Sequence, residues 1–267
     1  MRRAIGLLLL CALVALVTGC FEITPRTASV AIMTWNVRGY PEDPGAESQY
    51  LSHILTTYAP DILCVQEIAN DSAVAAFIAT ETGYAGVAFL NSSDGQDNAV
   101  FFRHGVAFTD LPDPGGFQHP AQLASVSISG LGAQVLTVHL SFSDDAKRAQ
   151  ERQTLVSWAL PLLATGTDII IAGDFNTKGG SGDTIDELAQ ALGMEVLEVG
   201  SGVATTCGGS SYDFILISPG IVSAWQATTQ VLAPSPDDRT VACGVSDHFP
   251  AFAVLVQEGQ RPGCTGR

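Results

Sequence analysis

The sequence changes from apolar to polar within the stretch Asp168-Ile169-Ile170-Ile171-Ala172-Gly173-Asp174-Phe175-Asn176. A short apolar run rich in β-branched residues is typical of a strand that is buried on both faces. Asp174 and Asn176 stand where this strand would emerge, and an extended chain points residues two apart to the same side. A carboxylate and a carboxamide in this place predict one wall of a polar site at the end of a sheet.

Five further apolar runs meet polar residues in the same way. These residues are Asn36 after 31–35, Glu67 after 61–66, His139 after 134–138, Asp213 before 214–217, and Asp247 with His248 before 249–256. Carboxylates and amides suit a hard divalent cation, and imidazoles transfer protons near neutral pH. The combination indicates an enzyme that acts on a phosphate ester.

The rest of the pattern predicts more strands than helices. Helical spacing predicts four helices: 47–58, one between Asp71 and Gly83, 145–163, and 183–192. Asp71 is expected to cap the second helix and Gly83 to end it, and Gly193 follows the fourth. Further strands are predicted at 85–90, 99–103, 123–128, 135–140, 169–172, 212–217, 225–232 and 249–256. Many of them adjoin as hairpins, which argues against a purely alternating parallel sheet. We predict an α/β fold, a four-layer α/β/β/α sandwich with two mostly antiparallel sheets face to face and helices outside.

Six motifs, in a fixed order over 31–256, resemble those of the endonuclease/exonuclease/phosphatase superfamily, and of its deoxyribonuclease-I-like members in particular. They are Trp35-Asn36-Val37-Arg38-Gly39, Val65-Gln66-Glu67, Thr137-Val138-His139-Leu140, Gly173-Asp174-Phe175-Asn176, Tyr212-Asp213-Phe214-Ile215 and Ser246-Asp247-His248-Phe249-Pro250. Each motif alone carries little information, but six in the same order make coincidence improbable. The resemblance implies a metal-dependent hydrolase of phosphoester bonds.

The resemblance also implies a metal site. It assigns Mg²⁺ to Glu67, with Asn36 and Asp247 as further ligands. Mg²⁺ binds through one or two carboxylates and keeps several waters, while Mn²⁺ or Ca²⁺ would accept the same oxygens. Asp174 near Glu67 and Asp247 would be a costly concentration of negative charge without a cation.

Catalytic roles follow from the same resemblance. His248 is expected to act as general base, with Asp213 orienting its imidazole. Asp174 is expected to position the attacking water, and Asn176 to donate a hydrogen bond to a phosphate oxygen. Together they describe in-line attack of water on phosphorus.

Three further residues are expected to contact the substrate phosphate. His139 matches a histidine that donates to the phosphate or to the leaving oxygen, and Asp97 is our candidate for the carboxylate that orients it. Arg38 and Arg103 are candidates for bidentate phosphate contacts.

The formal net charge of −15 bears on the substrate. A field of that sign repels polyanions, and the densest basic group, Lys147, Arg148 and Arg152, is interspersed with acidic residues. A nuclease remains the first hypothesis. A phosphatase or a phospholipase or sphingomyelinase type of hydrolase, acting on a small phosphoester or a lipid headgroup, is the second. A surface-binding lipoprotein without catalysis is the third, and in every case we expect a monomer.

The N-terminus resembles a bacterial lipoprotein signal. Arg2 and Arg3 precede an apolar run over 4–17, and Val17-Thr18-Gly19-Cys20 resembles a lipobox. This implies cleavage before Cys20, its acylation, and an exported protein held at the bacterial cell envelope by the lipid anchor only. We therefore divide the chain into a signal peptide (1–19), a tether (20–29), a catalytic domain (30–256) and a polar tail (257–267).

The remaining cysteines fit an exported protein. Cys64 lies inside an apolar run and is expected to be a buried thiol. Cys207 and Cys243 each precede a predicted strand with site residues, and export permits a disulfide between them, although connectivity does not follow from sequence.

Overall fold

The computed structural model describes residues 28–40, 44–81, 83–86, 96–177, 184–197, 204–233 and 239–257. The strands in these ranges are β1 Ala28–Tyr40, β2 Ile62–Ile68, β3 Tyr84–Gly86, β4 Asp97–Arg103, β5 Ala107–Leu111, β6 His119–Ile128, β7 Leu131–His139, β8 Ile169–Asp174, β9 Glu195–Leu197, β10 Asp213–Ile217, β11 Gln226–Val231 and β12 Ala251–Gln257. The helices are α1 Pro44–Tyr58, α2 Asp71–Thr80, α3 Asp145–Ala164, α4 Ile185–Leu192, α5 Pro219–Ala224 and α6 Arg239–Val245.

The strands form two six-stranded sheets. The first has the order β11-β12-β1-β2-β4-β3 and the second the order β5-β6-β7-β8-β10-β9. One parallel pair lies in the middle of each sheet, β1 with β2 and β7 with β8, and the other neighbours are antiparallel. The predicted fold class, an α/β sandwich of two mostly antiparallel sheets, is confirmed.

Alternation along each strand separates three apolar layers. In β1, Ile32 faces the layer between the sheets, whereas Met33 faces α1 and α2 on the outer side. In β8, Ile170 faces the same inner layer, whereas Ile171 packs towards α3 and α4. Because successive side chains of a strand point to opposite faces, two-sided burial requires the continuous apolar runs seen in the sequence.

Several local predictions need correction. Asn70, not Asp71, caps α2, since its side chain accepts a hydrogen bond from Ala73 N. The helix α4 begins with a capping box between Thr184 and Glu187 and ends, as predicted, at Gly193, whose φ of 64° is left-handed. The predicted strand 85–90 appears as β3, and residues 87–90 lie outside the described residues. The sequence prediction missed β5, β9, α5 and α6 because they are short and lack an apolar run.

The domain boundaries also shift. Ala28 and Ser29 pair with Gln257 and Val256, so the last residues of the predicted tether and the first residue of the predicted tail belong to the sheet. The predicted signal peptide, the rest of the predicted tether with Cys20, and residues 258–267 lie outside the described residues. No described helix is long and apolar enough to cross a membrane.

The cysteines divide between core and surface. Cys64 is a fully buried thiol. Burial raises its pKa to about 12, because this effect is larger than the lowering of the pKa by a hydrogen bond with Thr137. Cys207 and Cys243 form a disulfide with a Cα–Cα distance of 6.0 Å.

Candidate active site

The inward-facing rows of four strands change from apolar to polar at the same end of the sandwich. Asn36 continues the inner row of β1, His139 that of β7, Asp174 that of β8, and Asp213 begins that of β10. His139 and Asp213 are both the register partners of Asp174 on neighbouring strands. All four side chains are buried. The strand geometry that builds the core therefore brings these polar groups together at its edge.

Asn36 links the two sheets. Its Nδ2 donates to Glu67 Oε1 at 2.9 Å and to Asp174 Oδ2 at 3.1 Å. Its Oδ1 accepts a hydrogen bond of 3.0 Å from Arg38 N, which fixes the orientation of the amide. The Asn36 oxygen thus faces away from the carboxylates. In this arrangement the side chain acts as a donor that holds two carboxylates together, and the assignment of Asn36 as a metal ligand stays a prediction.

Glu67 reaches the site through an irregular backbone. Its φ is 59°, in the left-handed region that non-glycine residues rarely adopt. It lies where the pairing of β2 with β4 shifts register between Val65 and Ile68. Such strain is tolerated where the surrounding structure fixes it, and it often marks a functional position.

His248 and Asp213 form a buried pair. His248 Nδ1 lies 2.8 Å from Asp213 Oδ2, and His248 Nε2 lies 3.7 Å from Asp174 Oδ2. Two contacts hold the His248 backbone: its N–H donates to Ser246 Oγ at 3.0 Å, and its carbonyl accepts from Trp35 Nε1 at 3.1 Å. The carboxylate behind Nδ1 leaves Nε2 directed towards Asp174.

The acidic surroundings control the charge of this pair. Burial alone lowers the pKa of an imidazole, but the charge and hydrogen bond of Asp213, with the charges of Asp174 and Asp247, raise the pKa of His248 to about 10. Burial and the charge of Asp213 raise the pKa of Asp174 to about 7, against opposing effects of His248, Asn36 and Asn176. A neutral His248 at pH 7 therefore requires further positive charge near these carboxylates.

His139 meets the same carboxylates from the second sheet. Its Nε2 lies 3.8 Å from Glu67 Oε1 and 3.7 Å from Asp174 Oδ2. Its ring stacks on that of His119, with centroids 4.5 Å apart and planes inclined by 17°. The sequence analysis missed His119, although it is the register partner of His139 on β6. Asp97 is buried at the start of β4.

Asn176 shapes the turn after β8. Its φ is 49°, its N–H donates to Asp174 Oδ1 at 3.0 Å, and its Nδ2 donates to Leu140 O at 2.8 Å. Asp174 therefore has both oxygens engaged, Oδ1 by this turn and Oδ2 by Asn36. These contacts hold the carboxylate in one orientation.

A cleft of about 490 Å³ opens over these groups. Its described lining consists of Glu67, Gln96, Gln118, His119, His139, Phe142, Ser143, Asp174, Asn176, Thr206, Gly208, Ser210, Tyr212, Asp247 and His248. Asp247 contributes an exposed carboxylate. None of these lining residues is Lys or Arg. The sequence analysis missed Phe142, Gln96 and Gln118 of the lining, because they lie outside the apolar runs.

The Cys207–Cys243 disulfide lies close in sequence to Asp213 and His248. Cys207 N donates to Asp247 O at 2.8 Å, and Phe249 N donates to Thr205 O at 2.7 Å. Thr205 Oγ1 in turn accepts from Asp213 N at 3.2 Å. The segments that carry Asp213 and His248 are thus joined by backbone hydrogen bonds and by a covalent bond.

The two predicted phosphate-binding arginines differ. Arg38 directly follows the Asn36 region, with an exposed side chain and a φ of 50°. Arg103 forms an ion pair with Asp61. Because β4 runs antiparallel to β2, Arg103 lies opposite the start of β2, whereas Glu67 is near its end. The assignment of Arg103 to the substrate phosphate is wrong.

Comparison with known proteins identifies the family. The sequence pattern of the Endonuclease/Exonuclease/phosphatase family matches residues 33–248. The chain belongs to this family. Members of the family are phosphoester hydrolases, and they generally use a divalent metal. No curated protein matches the chain.

Solved structures of the endonuclease/exonuclease/phosphatase fold resemble this chain over most of its length. TDP2 of D. rerio with a single-strand DNA product has a TM-score of 0.62 and 18% identity, covering 85% of this chain and 98% of that chain. A family protein from Bacteroides thetaiotaomicron has a TM-score of 0.61 and 16% identity, with coverages of 87% and 99%. The endonuclease domain of TRAS1, a telomere-specific non-LTR retrotransposon, has a TM-score of 0.60 and 14% identity, with coverages of 87% and 100%. At these identities the similarity shows the fold alone.

The site residues fit the divalent metal that the endonuclease/exonuclease/phosphatase family uses. Glu67, Asp174 and Asp247 all line the cleft, and ligand atoms of Asp174, Asp213 and His248 lie within 4.8 Å of one another. Asp213 Oδ1 is buried and accepts no hydrogen bond from any residue that the structure describes. Buried carboxylates without compensating charge are costly. A hard divalent cation would supply that charge.

Proposed function

We propose that this protein is a divalent-cation-dependent phosphodiesterase and, among such enzymes, a nuclease-like hydrolase of nucleic acid. The observation that carries the proposal is the Asn36 amide, which holds Glu67 of the first sheet and Asp174 of the second beside the Asp213–His248 pair. This arrangement provides carboxylates for a cation and a fixed imidazole for proton transfer.

In the proposed reaction, water attacks phosphorus in line with the leaving oxygen. His248 Nε2 accepts the proton of this water, and Asp213 stabilises the imidazolium that forms. Asp174 orients the water, while His139 and Asn176 donate hydrogen bonds to phosphate oxygens. Glu67 and Asp247, which both line the cleft, would hold Mg²⁺. When bound, Mg²⁺ offsets the charge that develops on the phosphate oxygens, and Mn²⁺ or Ca²⁺ would fit the same oxygen ligands.

A second candidate is a hydrolase of small phosphoesters or lipid headgroups. The cleft lining lacks Lys and Arg among the described residues, and the whole chain carries a net charge of −15. Both features disfavour tight binding of a duplex, whose affinity depends on contacts between basic residues and phosphates. A phosphatase or a sphingomyelinase-like enzyme needs no row of basic residues, because its substrate carries few phosphates.

We also propose that the protein is exported, acylated at Cys20 and monomeric. The segment Val17-Thr18-Gly19-Cys20 supports the anchor, and the Cys207–Cys243 disulfide suits an oxidising compartment. Metabolic labelling with palmitate tests the acylation: the wild type is expected to take up label, and the Cys20→Ser variant is not. Elution of the Cys20→Ser protein as a dimer would contradict the monomer.

The activity is tested on the Cys20→Ser protein with Mg²⁺ or with EDTA. Plasmid DNA, a single-stranded oligonucleotide, RNA, sphingomyelin and inositol phosphates are assayed in parallel. We expect cation-dependent cleavage of nucleic acid that falls by roughly 10²–10⁴ in His248→Ala and is unchanged in His104→Ala, an exposed histidine beside Arg103. Turnover of lipid or sugar phosphate alone would favour the second candidate. Inertness towards every substrate would favour a non-catalytic lipoprotein.

A further inference from the structure

Phe142 is presented to solvent at the edge of the active-site cleft. It is 56% exposed, more than any other large hydrophobic residue in the described ranges. It lines the same cleft as His139 and His248. An isolated exposed aromatic residue elsewhere on the surface needs no functional explanation. An exposed ring inside a polar cleft does, because a substrate bound in the cleft would contact it.

Buried side chains of α3 hydrogen-bond the backbone of the loop that carries Phe142. Arg148 Nη1 donates to Ser141 O at 2.8 Å and to Phe142 O at 3.3 Å. Glu151 Oε2 accepts from Ser141 N at 2.8 Å. Arg148 and Glu151 are both fully buried or nearly so. The exposure of Phe142 therefore reflects a fixed backbone and not a loose loop.

A second aromatic ring connects Phe142 to the catalytic histidine. The rings of Phe142 and Tyr212 have centroids 6.3 Å apart and are inclined by 70°. The Tyr212 ring lies 6.4 Å from that of His248. The three rings thus form a row that leads from the edge of the cleft to His248, so a base resting on Phe142 would lie on the path to a phosphate at His248.

The rest of the lining is suited to a nucleoside. Gln96, Gln118, Ser143 and Ser210 offer amide and hydroxyl groups, and the described lining contains no Lys or Arg. Amides and hydroxyls hydrogen-bond base edges and sugars, whereas a long polyanion needs a basic track. In a duplex the base faces are covered by stacking, so only an unpaired base can reach Phe142.

We propose that Phe142, supported by Tyr212, is a stacking platform for the base of an unpaired nucleotide next to the scissile phosphate. The inference rests on the proposed phosphodiesterase function and narrows it to short or single-stranded nucleic acid. Phe142 then determines the preference for ring-bearing over ring-free phosphodiesters. A choline headgroup would also approach aromatic rings, but it would leave the amides and hydroxyls of the lining unused.

The test compares four forms of the Cys20→Ser protein: unchanged, Phe142→Ala, Phe142→Leu and Phe142→Trp. Leu160→Ala, an exposed apolar residue on α3, is the matched control. Steady-state kinetics with Mg²⁺ are measured on thymidylyl-thymidine, glycerophosphoethanolamine and glycerophosphocholine. Binding of thymidine monophosphate is measured by calorimetry on the same variants combined with His248→Ala, so that it does not depend on turnover.

We expect Phe142→Ala and Phe142→Leu to raise the KM for thymidylyl-thymidine by about 5- to 150-fold, the range for losing one base–aromatic stack. The same substitutions should weaken thymidine monophosphate binding by a similar factor. Phe142→Trp and Leu160→Ala should retain the original KM and binding. Hydrolysis of the two ring-free diesters should not respond to Phe142.

Three results would overturn the platform. Equal losses on ring-bearing and ring-free diesters would mean that Phe142 only supports the loop. An unchanged KM in Phe142→Leu would mean that any apolar side chain at this position serves, and that no stacking on an aromatic ring is involved. A loss confined to glycerophosphocholine would indicate a site for a quaternary ammonium group. If no diester is hydrolysed, the proposed function fails, while unchanged monophosphate binding in Phe142→Ala would refute the platform separately.

Discussion

The imidazole of His248 and the carboxylate of Asp213 come from segments 35 residues apart and meet at 2.8 Å between Nδ1 and Oδ2. Asp213 is fully buried. The backbone N–H and the carbonyl of His248 are both hydrogen-bonded, to Ser246 and Trp35 respectively. Because a carboxylate only accepts, the Nδ1 proton is donated to Asp213 Oδ2, and Nε2 faces the cleft. The pair therefore holds the His248 ring in one orientation, with Nε2 directed into the cleft.

The charge of Asp213 should determine the protonation of His248. Asp213→Asn keeps a hydrogen-bond acceptor but removes the negative charge, so the pKa of His248 should fall below its metal-free value of about 10. Titration of the His248 ring by NMR in EDTA measures this shift. Asp186→Asn, an exposed aspartate of α4, is the control and should leave the titration unchanged. A His248 pKa that is the same in Asp213→Asn and in the unchanged protein would contradict the pairing.

The metal-free protein should lose stability as the pH rises. The folded-state pKa values of Asp174 and His248, about 7 and about 10, both lie above their ordinary values of 3.8 and 6.5. A raised pKa contributes stability that is complete below the ordinary value and is lost as the pH rises through the folded value. In EDTA, the free energy of unfolding by urea should therefore fall between pH 6 and pH 9.

Mg²⁺ should reverse this loss at the higher pH. A cation that binds only the folded state stabilises it, and the gain grows as its carboxylate ligands lose their protons. Urea denaturation at pH 6 and pH 9, with and without Mg²⁺, separates the two effects. A larger stabilisation by Mg²⁺ at pH 6 than at pH 9 would speak against a carboxylate site.

The disulfide should stabilise the segments that carry Asp213 and His248. Replacing both Cys207 and Cys243 by Ser should lower the free energy of unfolding by about 2–4 kcal/mol. It should also lower kcat, because the bond joins the segments ahead of Asp213 and His248. Treating the unchanged protein with reductant should give the same loss. Full activity after complete reduction would show that the hydrogen bonds alone hold these segments.

Arg103 should be dispensable for catalysis. Its ion pair with Asp61 lies away from Glu67, at the opposite end of β2. Arg103→Ala should leave KM and kcat unchanged and lower the free energy of unfolding by about 1 kcal/mol or less, as for other half-exposed ion pairs. Kinetics and urea denaturation on one preparation check both expectations. A raised KM would return Arg103 to the substrate site.

The apolar runs made the fold and most of the polar groups that meet in the cleft predictable from the sequence. A strand buried on both faces needs a continuous apolar run, so Asn36 and Asp174 stand out where such runs stop. Arg103 also ends a run, but the sequence does not state the direction of β4, and direction decides at which end of the sheet a residue lies.

Other features of the site leave little trace in the sequence. Phe142 and Tyr212 lie in loops, where no periodicity separates an exposed aromatic residue from a buried one. His119 precedes a proline and lies beside His139 only through the pairing of β6 with β7. The short edge strands β5 and β9 lack the apolar pattern, because an edge strand is covered on fewer sides.

The central claim is that one cation, held by Glu67 and Asp247, offsets the negative charge that Glu67 of the first sheet and Asp174 of the second bring together. Calorimetric titration of Mg²⁺ into the Cys20→Ser protein tests it without any substrate. We expect a single binding event that Glu67→Gln of the first sheet and Asp174→Asn of the second each weaken, while Asp186→Asn leaves it intact. Mg²⁺ binding that survives both Glu67→Gln and Asp174→Asn unchanged would contradict the account.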